Sequence, residues 1–368
     1  MDSLTQIVLG AAVGEASLGK KIGRKAALYG AVLGTLPDLD VLWVKNAVES
    51  FTEHRGFSHS LITLLMISPL FAWLLKRWHP FEQKIKSTAI NNTNIQTERV
   101  SISFLYFTIS VYLIFSTHAL LDWQTVYGTQ LLWPLTTYPF GLASVFSIDP
   151  LYTLPLLILL LVTIVTRHRF YLWLGIGISC LYLLWALFAQ NIQANHFERY
   201  LNDKGVDTDI SLTMPMPLNT FLWKNITMVE GGYWVSFRSV FDSSEAEIQS
   251  EFFVSENNKL GSLGESESIQ KLKRFTKSFY QVSEQDDGIW ISDLRMGGFG
   301  NFVFNFRVAE KNQNGQIQLN ESDQVIAKSL RGQNGDLQNA LKRIWDRIFN
   351  STTPLMDLFE SAEMVRKN

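Results

Sequence analysis

Apolar runs fill the first half of the chain and give way to alternating patterns in the second. Residues 58–75, 101–121 and 170–192 each predict a membrane-crossing helix, which needs roughly 17–25 apolar residues. Residues 151–166 (LYTLPLLILLLVTIVT) are shorter but almost wholly apolar. Two weaker segments precede them. Residues 4–18 (LTQIVLGAAVGEASL) are rich in small residues, and 26–44 is interrupted by Leu36-Pro37-Asp38-Leu39-Asp40. The chain start lacks a basic residue and Glu15 breaks the apolar run, which argues against a secretory signal. Beyond residue 192, alternation over 233–241, 288–294 and 299–308 predicts strands joined at Gly-rich turns. Residues 266–280 and 336–349 predict helices. The second has Asp336 as N-cap and Leu337, Leu341, Ile344, Trp345 and Ile348 on one face. Met214-Pro215-Met216-Pro217 predicts a stiff connector. The expected fold is mainly α: a polytopic membrane domain of about six helices over 1–192, then a soluble α+β domain over 193–368.

Charge adds a direction. The chain of 368 residues carries a net charge of −2, but residues 1–192 hold 13 of the 32 Lys and Arg and 10 of the 34 Asp and Glu, a balance of +3. The remainder is acidic, and the overall mean hydropathy of +0.07 averages two unlike halves. A single cysteine, Cys180, excludes an intramolecular disulfide framework and a Cys-rich zinc site. The absence of a general basic surface argues against nucleic-acid binding. Connections 19–25, 76–100 and 167–169 hold eleven Lys and Arg, whereas 45–57 and 122–150 hold two. By the positive-inside rule the first set is cytoplasmic, which places the tail outside the cytoplasm.

The informative residues are ionisable groups at helix ends, where membrane depth makes each one expensive without a partner or a metal. Asp38 and Asp40 follow Pro37. His54, Arg55, Ser58, His59 and Ser60 open the third helix (HRGFSHS). His118 and Asp122 close the fourth (HALLDW), and their i, i+4 spacing puts them on one face. The charge bias gathers all of these at the extracytoplasmic side, together with Asp2, Thr5, Gln6 and Asp149. Three His and three Asp there suit a divalent metal: zinc, with manganese or iron as alternatives. Each residue alone also fits a plainer role, with Asp38 and Asp40 as a helix-end turn, His118 and Asp122 as a hydrogen-bonded pair and Arg55 as an interfacial anchor. Trp123, Trp133 and Tyr138 read as an interfacial aromatic belt. His79 and His168 fall on the basic face and read as solvated. His196 has no motif around it.

The N-terminal MDSLTQIVLGAAVGE, followed by GTLPDLD, HRGFSHS and HALLDW, resembles the bacterial inner-membrane metal-dependent hydrolases of the YdjM type. The resemblance is strongest over residues 1–150. It implies a multi-pass inner-membrane protein with metal-dependent hydrolase activity. Its polar positions fall on Asp38, Asp40, His54, His59, His118 and Asp122. Gln6 stands where many relatives have His, and glutamine is a poor zinc ligand. The His-x-x-x-Asp spacing of His118 and Asp122 is also similar to that in the helical zinc-dependent phospholipases C and P1-type nucleases.

The expected activity is metal-assisted hydrolysis of an ester or phosphoester at the outer face of the inner membrane. Asp38 or Asp40 is expected to act as general base, with Arg55, Ser58 and Ser60 on the developing charge. The expected partners are membrane lipids, with a lipid-linked substrate. The competing expectation is a non-catalytic metal-binding protein or scaffold whose tail is an interaction module.

Overall fold

The computed structural model describes residues 1–42, 47–78, 82–86, 97–101, 103–298, 301–311, 317–318, 326–327 and 334–356. The first half is a helical bundle. Helices α1 (Ser3–Ile22) and α2 (Lys25–Thr35) form an antiparallel hairpin turned at Gly23, whose φ is +64°. Small residues allow their contact. A Cβ on Gly10 or Gly30 would overlap the carbonyl oxygen of the other, and one on Gly34 would lie 2.8 Å from the Gln6 carbonyl oxygen. Gly10-x-x-x-Gly14 and Gly30-x-x-x-Gly34 therefore let the two backbones touch, which is how helices gain packing energy where lipid removes the hydrophobic drive.

Residues 26–44, expected as one helix, instead break. Helix α2 stops before Pro37, which has no N–H to continue the ladder, and Leu36–Leu42 winds as a 3-10 turn. The end of that segment, 43–44, lies outside the described residues. A short helix, α3 (Ala47–Glu53), occupies part of the expected connection and is followed by a 3-10 turn, Phe57–His59. Then come α4 (Leu61–Trp78), an antiparallel hairpin of β1 (Glu82–Lys86) and β2 (Thr97–Ser101), α5 (Phe104–Trp123), α6 (Pro150–Thr166) and α7 (Arg169–Asp203).

Among the described residues, α5 and α7 are long and apolar enough to cross a membrane. The bent pair Ala47–His59 and Leu61–Arg77, with a 59° angle between its arms, is a third candidate span. Helix α6 is apolar but shorter, and α1 carries Glu15, Lys20 and Lys21.

Helix α7 runs unbroken through the composition change near residue 192. Its first half exposes Phe170, Trp173, Leu181, Leu184 and Phe188, whereas Ala189 and Phe197 pack on Trp223 and Ile248 of the tail. Gln193 accepts a hydrogen bond from the Arg238 guanidinium at 3.0 Å.

Among the described residues the tail holds two larger antiparallel sheets and one short two-stranded pair. The first is a meander of β3 (Ser211–Pro215), β4 (Leu222–Val229), β5 (Gly232–Ser239) and β6 (Gln249–Val254), so Met214 and Pro215 belong to an edge strand rather than a free connector. Pro is tolerated at such an edge. The second follows α8 (Glu267–Phe275) and contains β7 (Tyr280–Gln285) and β8 (Gly288–Asp293). After a short pair, β9 (Gly297–Gly298) and β10 (Asn301–Phe302), come β11 (Asn305–Lys311), β12 (Ile317–Gln318) and β13 (Ile326–Ala327). Helix α8 thus ends earlier than the expected 266–280, because Tyr280 starts a strand. Phe299, the first residue of the expected strand 299–308, lies outside the described residues. The last helix, α9 (Asn334–Phe349), starts before Asp336, which is in its first turn rather than at its N-cap.

The tail closes over the bundle. Leu260, Ile269, Leu272, Phe275, Ile289, Ile291 and Phe306 share one apolar core with Val48 and Phe51 of α3 and with Tyr127.

Candidate metal centre

Four side-chain atoms meet where the broken end of α2, the start of α4 and the end of α5 converge. They are Asp38 Oδ1, His59 Nε2, His118 Nε2 and Asp122 Oδ2, all within 4.8 Å of one another. Asp38 Oδ1 lies 3.3 Å from His59 Nε2 and 3.5 Å from His118 Nε2. The two Nε2 atoms are 3.1 Å apart, and Asp122 Oδ2 lies 3.3 and 3.5 Å from them. Ligands about 2.1 Å from a tetrahedral ion are separated by about 3.4 Å, so these spacings fit one small divalent cation.

The protons support the same reading. His118 Nδ1 lies 2.6 Å from the Gly34 carbonyl oxygen, which can only accept, so Nδ1 carries the hydrogen and Nε2 a lone pair. Gly34 is in the last turn of α2, where carbonyls lack helical partners, so the break at Pro37 supplies that acceptor. The Ser58 hydroxyl donates to Asp40 Oδ2 at 2.6 Å and, having one proton, can only accept from His59 Nδ1 at 2.9 Å. His59 Nε2 therefore also presents a lone pair. With both rings neutral, as ligation of a metal requires, two carboxylate oxygens and two imine nitrogens face one another with no proton between them. Asp122 Oδ2 is fully buried and has no hydrogen-bond partner among the described residues, with Arg55 Nε as an ion-pair neighbour at 3.3 Å. Electron-rich atoms in this arrangement repel unless a cation lies among them. Two carboxylates and two neutral imidazoles are also a donor set that suits a divalent ion.

The other expected residues lie around this group. Asp40 accepts from His54 Nδ1 at 2.8 Å, from the Arg55 backbone N–H at 3.1 Å and from Ser58, so it orients His59 from behind. His54 and Asp40 form a pair beside the four-atom group rather than within it. Arg55, at φ +63°, places Nε 3.3 Å from Asp122 Oδ2, donates through Nη1 to Thr125 Oγ1 at 3.0 Å, and lies 4.9 Å from the Tyr127 ring centroid. The Ser60 hydroxyl is committed to the Trp133 carbonyl.

Gln6 donates to Asp122 Oδ1 at 3.0 Å and so acts on the carboxylate edge facing away from the four-atom group. The Met1 amino group contacts the same Oδ1. Asp2 and Asp149 cap α1 and α6, and Asp149 also accepts from the Tyr182 hydroxyl at 2.7 Å. His168 precedes α7 on an exposed turn, and His79 lies outside the described residues. His59, His118 and Asp122 are buried, while the Asp38 side chain keeps 25% exposure and marks the opening.

Sequence reasoning missed Tyr127, Thr125 and the Gly34 carbonyl. Tyr127 packs its ring against His54 at 5.7 Å and against Phe275 of the tail at 5.3 Å. Its hydroxyl donates to the Phe51 carbonyl at 2.6 Å, and burial pushes its pKa above the ordinary phenol value, so it remains a donor. No local motif announces it, because its partners lie far away in sequence. The paired Gly-x-x-x-Gly segments were a readable signal for the hairpin that sets Gly34 in place.

Comparison with known proteins agrees with this region. A curated Bacillus subtilis (strain 168) protein, described as uncharacterized protein YfhP, is 28% identical over 158 residues, covering 41% of this chain and 42% of its own length. The aligned region is therefore less than half of that relative. No solved structure matches significantly. The family model described as YdjM inner membrane protein matches residues 1–193, which contain every donor described above. The chain belongs to the YdjM inner membrane protein family.

Proposed function

We propose that the bundle is a metal-dependent hydrolase acting on an ester or phosphoester, lipid-borne or lipid-linked, at the extracytoplasmic face of the inner membrane. The observation that carries this reading is the group of four lone-pair-bearing atoms, three of them on buried side chains, opening to solvent at Asp38. Asp38, His59, His118 and Asp122 would hold the ion, with zinc the best match to a His and carboxylate set, and manganese or iron as alternatives. The bound ion supplies Lewis acidity toward a substrate oxygen and an attacking water. The His54–Asp40 pair, outside the four-atom group and exposed through His54, would take up the proton, with Asp40 holding the His54 ring. Arg55 offers a fixed positive charge beside Asp122, suited to an anionic ester. Ser58 passes the pull of Asp40 to His59 and fixes its ring.

The charge bias of the connections supports the orientation. It would put 19–25, 76–100 and 167–169 in the cytoplasm, the metal group at the opposite ends of the membrane helices, and the tail outside.

Metal analysis of purified protein, beside His59→Ala and Asp122→Ala variants, tests the centre. The expected result is near-stoichiometric metal in the parent and almost none in the variants. A hydrolysis screen over phospholipids and phosphodiesters tests the activity, and a reporter fused after Asn368 tests the orientation. Equal, negligible metal in all three proteins would sink the reading.

One observation favours a second reading. Four protein donors can fill a zinc shell, as in structural sites that keep no open position. On that reading metal binds, no substrate turns over, and chelation lowers the melting temperature of the bundle.

A further inference from the structure

Between α5 and α6 the chain doubles back as a closed loop. Thr129 and Phe140 exchange both backbone hydrogen bonds, at 2.7 and 3.0 Å. The base of this loop is fastened to the segment that carries His59. The Gln130 backbone N–H donates to the Arg55 carbonyl at 2.9 Å, its side chain donates to the Thr52 carbonyl at 2.9 Å, and Leu61 N–H donates to the Leu131 carbonyl at 3.0 Å.

The tip is different. Leu132, Leu135 and Tyr138 are exposed, Leu135 by 78%, and exposed Phe57 sits edge-on to Trp133 at 6.2 Å. Clustered apolar side chains of this kind mark a surface that something covers. The surroundings say what. Leu131 and Phe140 belong to the same apolar cluster as Leu64, Ala72, Phe107 and Phe115 of α4 and α5, so the tip continues the outer surface on which α4 exposes Leu65 and Met66. On the other side, the Lys277 ammonium of the tail lies 5.3 Å from the Tyr138 ring centroid, with Arg295 as its charged neighbour. Apolar side chains, then aromatic rings, then a cation is the order of groups met on leaving a bilayer.

We propose that the 129–140 loop inserts Leu132, Trp133 and Leu135 into the outer lipid leaflet, with Lys277 at the level of the phosphates. Its partner is the lipid surface itself. Because its base holds Arg55 and Leu61, on either side of His59, the loop brings that surface to the mouth of the metal group. The inference rests on the membrane placement proposed above and not on hydrolysis.

The test uses full-length protein in a Cys180→Ser background with single cysteines at Leu135→Cys or Leu132→Cys. Leu65→Cys on α4 is the lipid control, and Glu245→Cys on the exposed tail is the water control. Each is labelled with an environment-sensitive fluorophore in vesicles of phosphatidylethanolamine and phosphatidylglycerol, with or without lipid spin-labelled near the headgroup. Probes at Leu135 and Leu132 should emit to the blue and lose most of their intensity to the spin label, as at Leu65, while Glu245 stays unchanged. Loop probes that behave like Glu245 while Leu65 is quenched would overturn the loop proposal and leave the membrane placement standing. A Leu65 probe that is not quenched would overturn both.

Discussion

In the tail, Asp293 and Arg295 are both buried, and each answers the other: Arg295 Nε and Nη2 meet the two carboxylate oxygens at 3.0 and 2.8 Å. Arg347 and Asp242 repeat the fork at 2.8 and 2.7 Å. In the bundle, four groups, three of them just as deep, face one another as acceptors, with cationic Arg55 on one side. Both regions confine charge in a low-dielectric interior. The two tail pairs close internally, whereas the bundle group keeps four ligand atoms turned toward one another in an arrangement suited to a cation. Burial of ionisable residues is thus common to both, and what separates a fastening from a candidate site is the balance of donors against acceptors.

The sharpest break in this comparison comes from removing a carboxylate on each side. Asp122→Ala should reduce bound divalent metal from near one per chain to almost none by elemental analysis. A variant that keeps its metal would make the bundle group as self-sufficient as the tail. Asp293→Ala should leave metal content unchanged but strand Arg295, costing about 3–5 kcal/mol in denaturant unfolding of the full chain.

Lys224 sharpens the contrast by pH. It is fully buried against the carbonyls of Leu294 and Gly297, and burial pushes its pKa down to about 8. The folded protein then releases this proton before the unfolded chain does. Stability from this group should therefore rise between about pH 8 and about pH 10.5, by about 3 kcal/mol, and not fall. Lys224→Met should flatten that rise in unfolding measured across the window, and an unchanged slope would contradict the assignment. The smallest effect belongs to Gln6. Gln6→Ala removes one of the two contacts on Asp122 Oδ1, leaving the Met1 amino group, and touches no ligand atom, so metal affinity in a chelator competition should fall by about 10–100-fold rather than vanish.

Much of the candidate centre was legible in the sequence because its donors sit in three short motifs at helix ends. Asp38, His59, His118 and Asp122 could be gathered from those motifs and the charge of the loops alone. Their division of labour could not. Whether Asp40 faces the ion or the back of His59 depends on the 3-10 turns at Leu36–Leu42 and Phe57–His59, and no periodicity specifies those. Likewise Pro37 announced a break, but not that Gly34 would offer its freed carbonyl to His118. In the tail, alternation marked strands within β5, β8 and β11 but gave neither the two-sheet pairing nor the covering of α3, since both rest on contacts between distant residues.

Helix α7 has no joint where the two halves of the chain meet. Its 35 residues make a rod about 50 Å long, more than a hydrocarbon core requires, with its far end clasped by the tail. It works as a crankshaft. A single residue inserted after Ala189 would swing the tail about 100° around the axis and carry Phe275 away from Tyr127. The cover over α3 and Tyr127 is therefore timed by helical phase.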